Sequence, residues 1–256
     1  MNAERTAVFA VAAILLLAIM AGPVALLIAT VPPPAVAAAF ADPGVAGAAR
    51  VSLGASALAL VAATLLGVPA GYELRRWNAV PRSLALFALA LPLAFPPIAS
   101  GIVLLNVVGL RTALGAALAA HGVPLVDSFW GVSLAEFFVS GSFVAITSFA
   151  AFAALDPAYE EAAATLGASP LRAFLLVALP LAAPNVAAGI LLAWLRAIGE
   201  YGATSVLAYH PTSLPVALYV TLSSRGVEAA LAIAYGFVVL VGIVVGLQWA
   251  IRRHVV

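Results

Sequence analysis

The chain has 256 residues, 65% of them hydrophobic and 8% charged, with a mean hydropathy of +1.18 and a formal net charge of +1. Soluble domains carry about 25% charged residues, so the composition excludes an ordinary soluble protein and describes an integral membrane one, with no basic surface or motif for nucleic acid. Cysteine and lysine are both absent, which excludes disulfides, thiolate metal sites and a phosphate-binding loop of the Walker type; no metal site is expected, and any coupled ATP hydrolysis belongs to another polypeptide.

Six apolar segments reach the length of about 20 residues that a hydrocarbon core of about 30 Å requires. The first covers residues 7–31 and ends at Pro32, Pro33 and Pro34. It is too long for a signal-peptide core and is read as a retained helix. A proline- and glycine-containing loop over 32–49 is expected next, then a second span over 51–72 that ends at Arg75, Arg76 and the interfacial Trp77. Gly67 and Gly71 form a small-xxx-small pair suited to close helix contact. The third span, 83–108, is interrupted by Pro92, Pro96 and Pro97. Prolines free carbonyls that need other partners, which suits a protein-facing or cavity-lining position as well as a packing kink. Residues 111–130, with His121, Gly122, Pro124 and Asp127, leave the bilayer. The fourth span, 131–155, carries Glu136 near its outer end.

Residues 155–180 are the one long polar-leaning interval of the second half. Asp156 is a candidate N-cap with Pro157 behind it, and Glu160 and Glu161 sit in the early turns, where the helix dipole favours negative charge. Gly167 is a natural left-handed stop. Ser169 and Pro170 repeat the cap-and-proline signature, predicting a second short helix that Pro180 interrupts. The product is a helical hook on one membrane face.

Glu161, Ala162, Ala163, Gly167, Val177, Leu179 and Pro180 resemble the EAA loop of ABC importer permeases, with Val177 where isoleucine is commoner. The resemblance implies the type I importer permease fold, an all-α membrane domain of about six spans over residues 1–256. It also implies that the hook, Glu160 included, docks on a separate ATPase subunit, which would bind the ATP and magnesium. Further implied partners are a second such ATPase, a second permease copy in a homodimer, membrane lipid and an extracytoplasmic binding protein. The implied location is the prokaryotic inner membrane.

The fifth span, 184–209, contains Arg196 and Glu200, four residues apart and so on one helix face. A lone charge at the bilayer centre costs at least about 2.5 kcal/mol. Two readings stay open: mutual neutralisation inside the bundle, or a pair facing the translocation pathway, with Arg196 helping an anion pass and Glu200 restraining it. The run Arg196, Ala197, Ile198, Gly199, Glu200, Tyr201, Gly202, Ala203, Thr204 resembles the molybdate, tungstate and sulfate branch of these permeases, with Tyr201 in place of phenylalanine. That resemblance implies import of a tetrahedral oxyanion, molybdate or tungstate first and sulfate or thiosulfate as the alternative. A secondary transporter driven by an ion gradient is the reading from a different class; it lacks an acidic chain spread over several spans.

A looped segment over 210–228 leads to the sixth span, 229–251, where Gly242 and Gly246 offer another close-packing pair. With a cytoplasmic amino terminus, Arg5, Arg75, Arg76, Arg82, Arg172, Arg252 and Arg253 fall inside and Arg50, Arg111 and Arg225 outside. This bias predicts both termini and the hook in the cytoplasm.

Overall fold

Prolines open helices in this chain as often as they disturb them. The computed structural model describes the backbone of residues 2–255 and the side chains of residues 8–246, so Arg5, Arg252 and Arg253 of the orientation argument lie outside the described side chains. After α1 (Asn2–Thr30), the stretch expected as a loop is helical: it forms α2 (Pro33–Ala41) and the start of α3 (Pro43–Leu74). Both begin on proline, whose missing N–H costs nothing in a first turn. Asp42 Oδ1 accepts the Gly44 N–H at 2.8 Å, capping α3. The alanines after Pro34 supply the helix propensity that the proline and glycine content masked.

The third predicted span is two helices, α4 (Ala79–Ala94) and α5 (Pro97–Val108), bent by 113°. Pro96 holds extended backbone at the break, with Pro97 as the first residue of α5. α6 (Ala113–Ala120) and α7 (Phe129–Ala153) follow. Thr112 and Ser128 cap them by accepting the Gly115 and Gly131 N–H groups, each at 3.0 Å. The remaining elements are α8 (Ala158–Thr165), α9 (Pro170–Ala173), a π-helical turn (Phe174–Ala178), α10 (Leu179–Ile198), α11 (Gly202–Leu207), α12 (Leu214–Arg225) and α13 (Val227–Val255).

Three expectations change here. Pro180 does not interrupt the helix, which runs from Pro170 to Ile198. The π turn just before it makes a wider loop, with the Leu179 N–H bonded to the Phe174 carbonyl five residues back; this relieves the clash a proline ring makes with the preceding turn. The fifth span ends at Ile198, and residues 199–201 separate it from α11. Finally, most of 210–228 is α12 rather than loop. Among the described residues, five helices are long and apolar enough to cross a membrane, or six if the bent α4–α5 pair is one span.

The chain divides into two compact units. The first joins residues 1–46 and 217–256. In it Gly236 of α13 lies against the Phe40 ring, where a Cβ would collide, and Arg225 Nη1 approaches Asp42 Oδ2 at 3.7 Å. A Cβ at Gly242 or Gly246 would meet no atom within 4 Å, so the close packing expected there is not made among the described residues.

The second unit, residues 47–216, is built on α3, α7 and α10. Its core mixes Ala63, Ala178, Ala182 and Ala193 with Tyr72 and Phe152. Small residues matter because lipid gives no hydrophobic drive between helices, so close backbone approach must hold them together. The Gly67 and Gly71 pair serves this purpose: a Cβ on Gly71 would fall 2.5 Å from the Phe149 nitrogen and 2.8 Å from the Ala145 oxygen, both on α7.

Candidate functional site

The hook is built by local capping. Asp156 Oδ1 accepts the Ala158 N–H at 2.9 Å and starts α8. At the other end Ala168 N–H bonds Ala163 O at 3.0 Å while Gly167 N–H bonds Ala164 O at 2.9 Å. This six-to-one, five-to-two pair is a Schellman closure, with Gly167 at φ +84° as its left-handed residue. The spacing of Ala163 and Gly167 is therefore the spacing from the carbonyl that closes the turn to its left-handed residue. A Cβ at Gly167 would meet no atom within 4 Å, so backbone conformation alone demands glycine there within the chain. Ser169 Oγ accepts the Arg172 N–H at 3.4 Å and starts α9.

The two glutamates of α8 separate. Glu161, Ala162 and Gly167 are exposed, as is Pro180, while Ala163, Val177 and Leu179 are half-buried. Glu160 turns back toward the end of α3. Its Oε2 accepts from Tyr72 Oη at 2.9 Å and from Arg76 Nη2 at 3.0 Å, and its Oε1 is paired with Arg75 Nη2. Arg76 Nη2 also donates to Tyr72 Oη at 2.6 Å, and the Arg75 and Arg76 guanidinium groups lie 4.4 and 4.6 Å from the Tyr72 ring centre. That ring packs in turn on Phe152 of α7 and Phe174 of the π turn, at 5.3 and 4.6 Å between centroids. Burial pushes the Glu160 carboxyl up, but hydrogen bonds from Arg75, Tyr72 and Arg76 outweigh it and hold the group below the usual glutamate range. The clamp thus ties α8 to α3, while Leu166, 90% exposed, and Tyr159 face outward beside Glu161.

The second cluster surrounds the break after α10. Arg196 Nη1 lies 2.6 Å from Glu200 Oε2, so the predicted pair forms even though no continuous helix carries it. Glu200 Oε1 accepts the Ala203 N–H at 2.8 Å and so caps α11. Thr204 Oγ1 donates to the Glu200 carbonyl at 3.0 Å. Glycine at 202 is forced by space, because a Cβ would press into Pro97 and the Ile98 nitrogen of α5. Glu200 is 1% exposed and Arg196 is 36% exposed, so the cation alone reaches open space. Glu136 of α7 is fully buried within electrostatic reach of Glu200, and neither of its carboxyl oxygens has a hydrogen-bond partner among the described residues. Deeper polar ties join other elements: Trp194 Nε1 donates to Ser56 Oγ at 3.1 Å, and Leu214 N–H to Ser52 Oγ at 2.8 Å.

The structure therefore brings Glu160 together with Tyr72, Arg75 and Arg76, which the sequence marked only as an interfacial span end. Glu136 was marked only as lying near a span end. An acidic residue in an apolar span is a signal of function in its own right; the arginine clamp had none, since its partners are 84 to 88 residues apart.

Comparison with known proteins agrees with this architecture. A Haloferax volcanii protein described as a probable molybdenum ABC transporter permease is 41% identical over 199 residues, covering 78% of this chain and 71% of that one. A molybdate/tungstate transport system permease of Thermococcus kodakarensis is 35% identical over 213 residues, covering 83% and 81%. Among solved structures, a bacterial ABC transporter involved in import of the acidic polysaccharide alginate shares the fold, with a TM-score of 0.72 at 16% identity over 98% of this chain and 96% of that one. Residues 63–250, which hold both clusters, match the family described as binding-protein-dependent transport system inner membrane component. This chain belongs to that family: it is a multi-pass membrane permease of the ABC importer type.

Proposed function

We propose that this chain is the permease subunit of an ATP-driven importer for molybdate or tungstate. The observation that carries the reading is the 41% and 35% identity to permeases named for those anions. The chain binds no ATP of its own; two partner ATPase subunits supply hydrolysis, with ATP and magnesium, and an extracytoplasmic binding protein delivers the anion to a homodimer of permeases. The hook lies in the cytoplasm with both termini. Leu166 and Tyr159 support this docking role, because large apolar side chains outside the membrane need a covering partner.

In this reading Glu161, Ala162, Ala163 and Gly167 present the docking surface, and Glu160 makes the hook and α3 one lever. Val177, Leu179 and Pro180 shape the π turn that joins the hook to α10. Arg196, half-exposed and restrained by Glu200, meets the passing anion. Proteoliposomes containing the permease, the ATPase and the binding protein should accumulate labelled molybdate only with ATP. Uptake driven by an ion gradient without ATPase would overturn the reading. Because cysteine is absent, single cysteines at Ser169 and Thr212 test orientation: the first should label only after the membrane is opened, the second from outside intact cells.

A further inference from the structure

Beside the hook lies a cavity of about 370 Å³ whose wall includes Arg75, Arg76, Arg82, Glu160 and Glu161. Three guanidinium groups face two carboxylates there, and Glu160 is already committed to Arg75 and Arg76. Donor capacity remains. A guanidinium carries five N–H donors. Arg75 spends its Nη groups on Glu160 and the Phe152 carbonyl, leaving a buried Nε without a partner. Arg76 spends only Nη2. Arg82 is half-buried, and its guanidinium makes no ion pair or hydrogen bond among the described residues.

The free Arg82 fork, with the unspent donors of Arg76 and the Arg75 Nε beside it, matches a group with three or four acceptor oxygens in tetrahedral array, since guanidinium groups bind oxyanions through such donors. The cavity sits at the end of a spanning helix, next to the exposed Trp77, at the level where aromatic side chains meet lipid headgroups. We propose that Arg75, Arg76 and Arg82 form a binding site for a tetrahedral oxyanion group, on the same membrane face as the hook and separate from Arg196. Two sources carry that chemistry: the phosphate of an anionic phospholipid, which basic pockets between helices at this level accept, and a free tetrahedral dianion. The site adds to the proposed transport role and does not depend on it.

The test uses the full chain in phosphatidylcholine nanodiscs and two probes: labelled tungstate in equilibrium dialysis, and phosphatidylglycerol retained in native mass spectrometry. Arg82→Gln removes no side-chain hydrogen bond or ion pair among the described residues, so it should keep the fold, and Arg82→Lys keeps the charge while removing the fork. Arg82→Gln should weaken one probe by about tenfold or more, the loss of a charge-assisted contact, with Arg82→Lys intermediate. Tungstate loss with unchanged lipid retention assigns a free dianion, and the reverse assigns a headgroup. If both probes bind Arg82→Gln as tightly as the unaltered chain, or neither binds the unaltered chain, the site does not exist. Neither readout involves the ATPase or transport, so failure here leaves the importer reading untouched.

Discussion

The hook and the break after α10 each hold a glutamate against arginine, but they do so in opposite ways. Glu160 is gripped by Tyr72 of α3 and by Arg75 and Arg76 just beyond its end, 84 to 88 residues away in sequence. Glu200 is gripped by a single arginine four residues away and by one backbone N–H, deep in the bundle and next to a second carboxyl, Glu136. The first is over-supplied with donors and joins two elements. The second has barely enough and holds one chain segment in shape. Loss of a cation should therefore be tolerated at the hook and damaging at the break.

The largest effect is expected at Arg196. Arg196→Met leaves the buried Glu200, within electrostatic reach of Glu136, without its cation; breaking a fully buried pair costs about 3–5 kcal/mol, less here because Arg196 meets open space. Folded yield by fluorescence-detected size exclusion should fall sharply. Glu200→Gln should be milder, because an amide oxygen can still accept the Ala203 N–H. The double variant Arg196→Met/Glu200→Gln should recover much of the yield of Arg196→Met, and the coupling is read from the double-mutant cycle. Strictly additive losses would mean that the ion pair carries no stability.

A smaller effect is expected at Glu160. Glu160→Gln gives up charge-assisted hydrogen bonds worth about 1.5–3 kcal/mol each in favourable geometry, less where Arg76 meets solvent. Its folded carboxyl is lowered, so the stabilisation is fully present above the ordinary glutamate value of 4.5 and is lost as pH falls through the lower folded value. Thermal denaturation should show an acid-induced drop below about pH 4.5 that is shallower in Glu160→Gln. The smallest effect is expected at Gly167→Ala, where the left-handed backbone costs about 1–2 kcal/mol and the added methyl meets nothing. A melting-temperature change no larger than that of Glu160→Gln fits; a larger one would reveal a neighbour that the structure does not place there.

What the sequence made legible follows the same division. Caps, prolines and Gly167 act within a few residues, so the hook's start, turn and second helix could be read directly. The Arg196 and Glu200 pair was legible for the same reason. Local rules failed where two of them competed: Pro33 and Pro43 could end a segment or open one, and only the alanines that follow decide. The π turn before Pro180 answers a clash that the sequence poses without saying how it is solved. Tyr72, Arg75 and Arg76 read as a span end meeting water, because nothing local shows that a carboxylate 84 to 88 residues on will return to them.

The proposed lever, Glu160 binding the hook to α3, is tested most directly by the coupling ratio in proteoliposomes with the ATPase and binding protein. Anion imported per ATP hydrolysed should be compared between the unaltered complex and Glu160→Gln. With the clamp loosened and the proposed docking surface of Glu161 and Leu166 intact, ATP hydrolysis should persist while the ratio falls about tenfold, the equivalent of about 1.4 kcal/mol of lost linkage. An unchanged ratio in a fully assembled Glu160→Gln complex would contradict the lever and leave the clamp a merely structural tie.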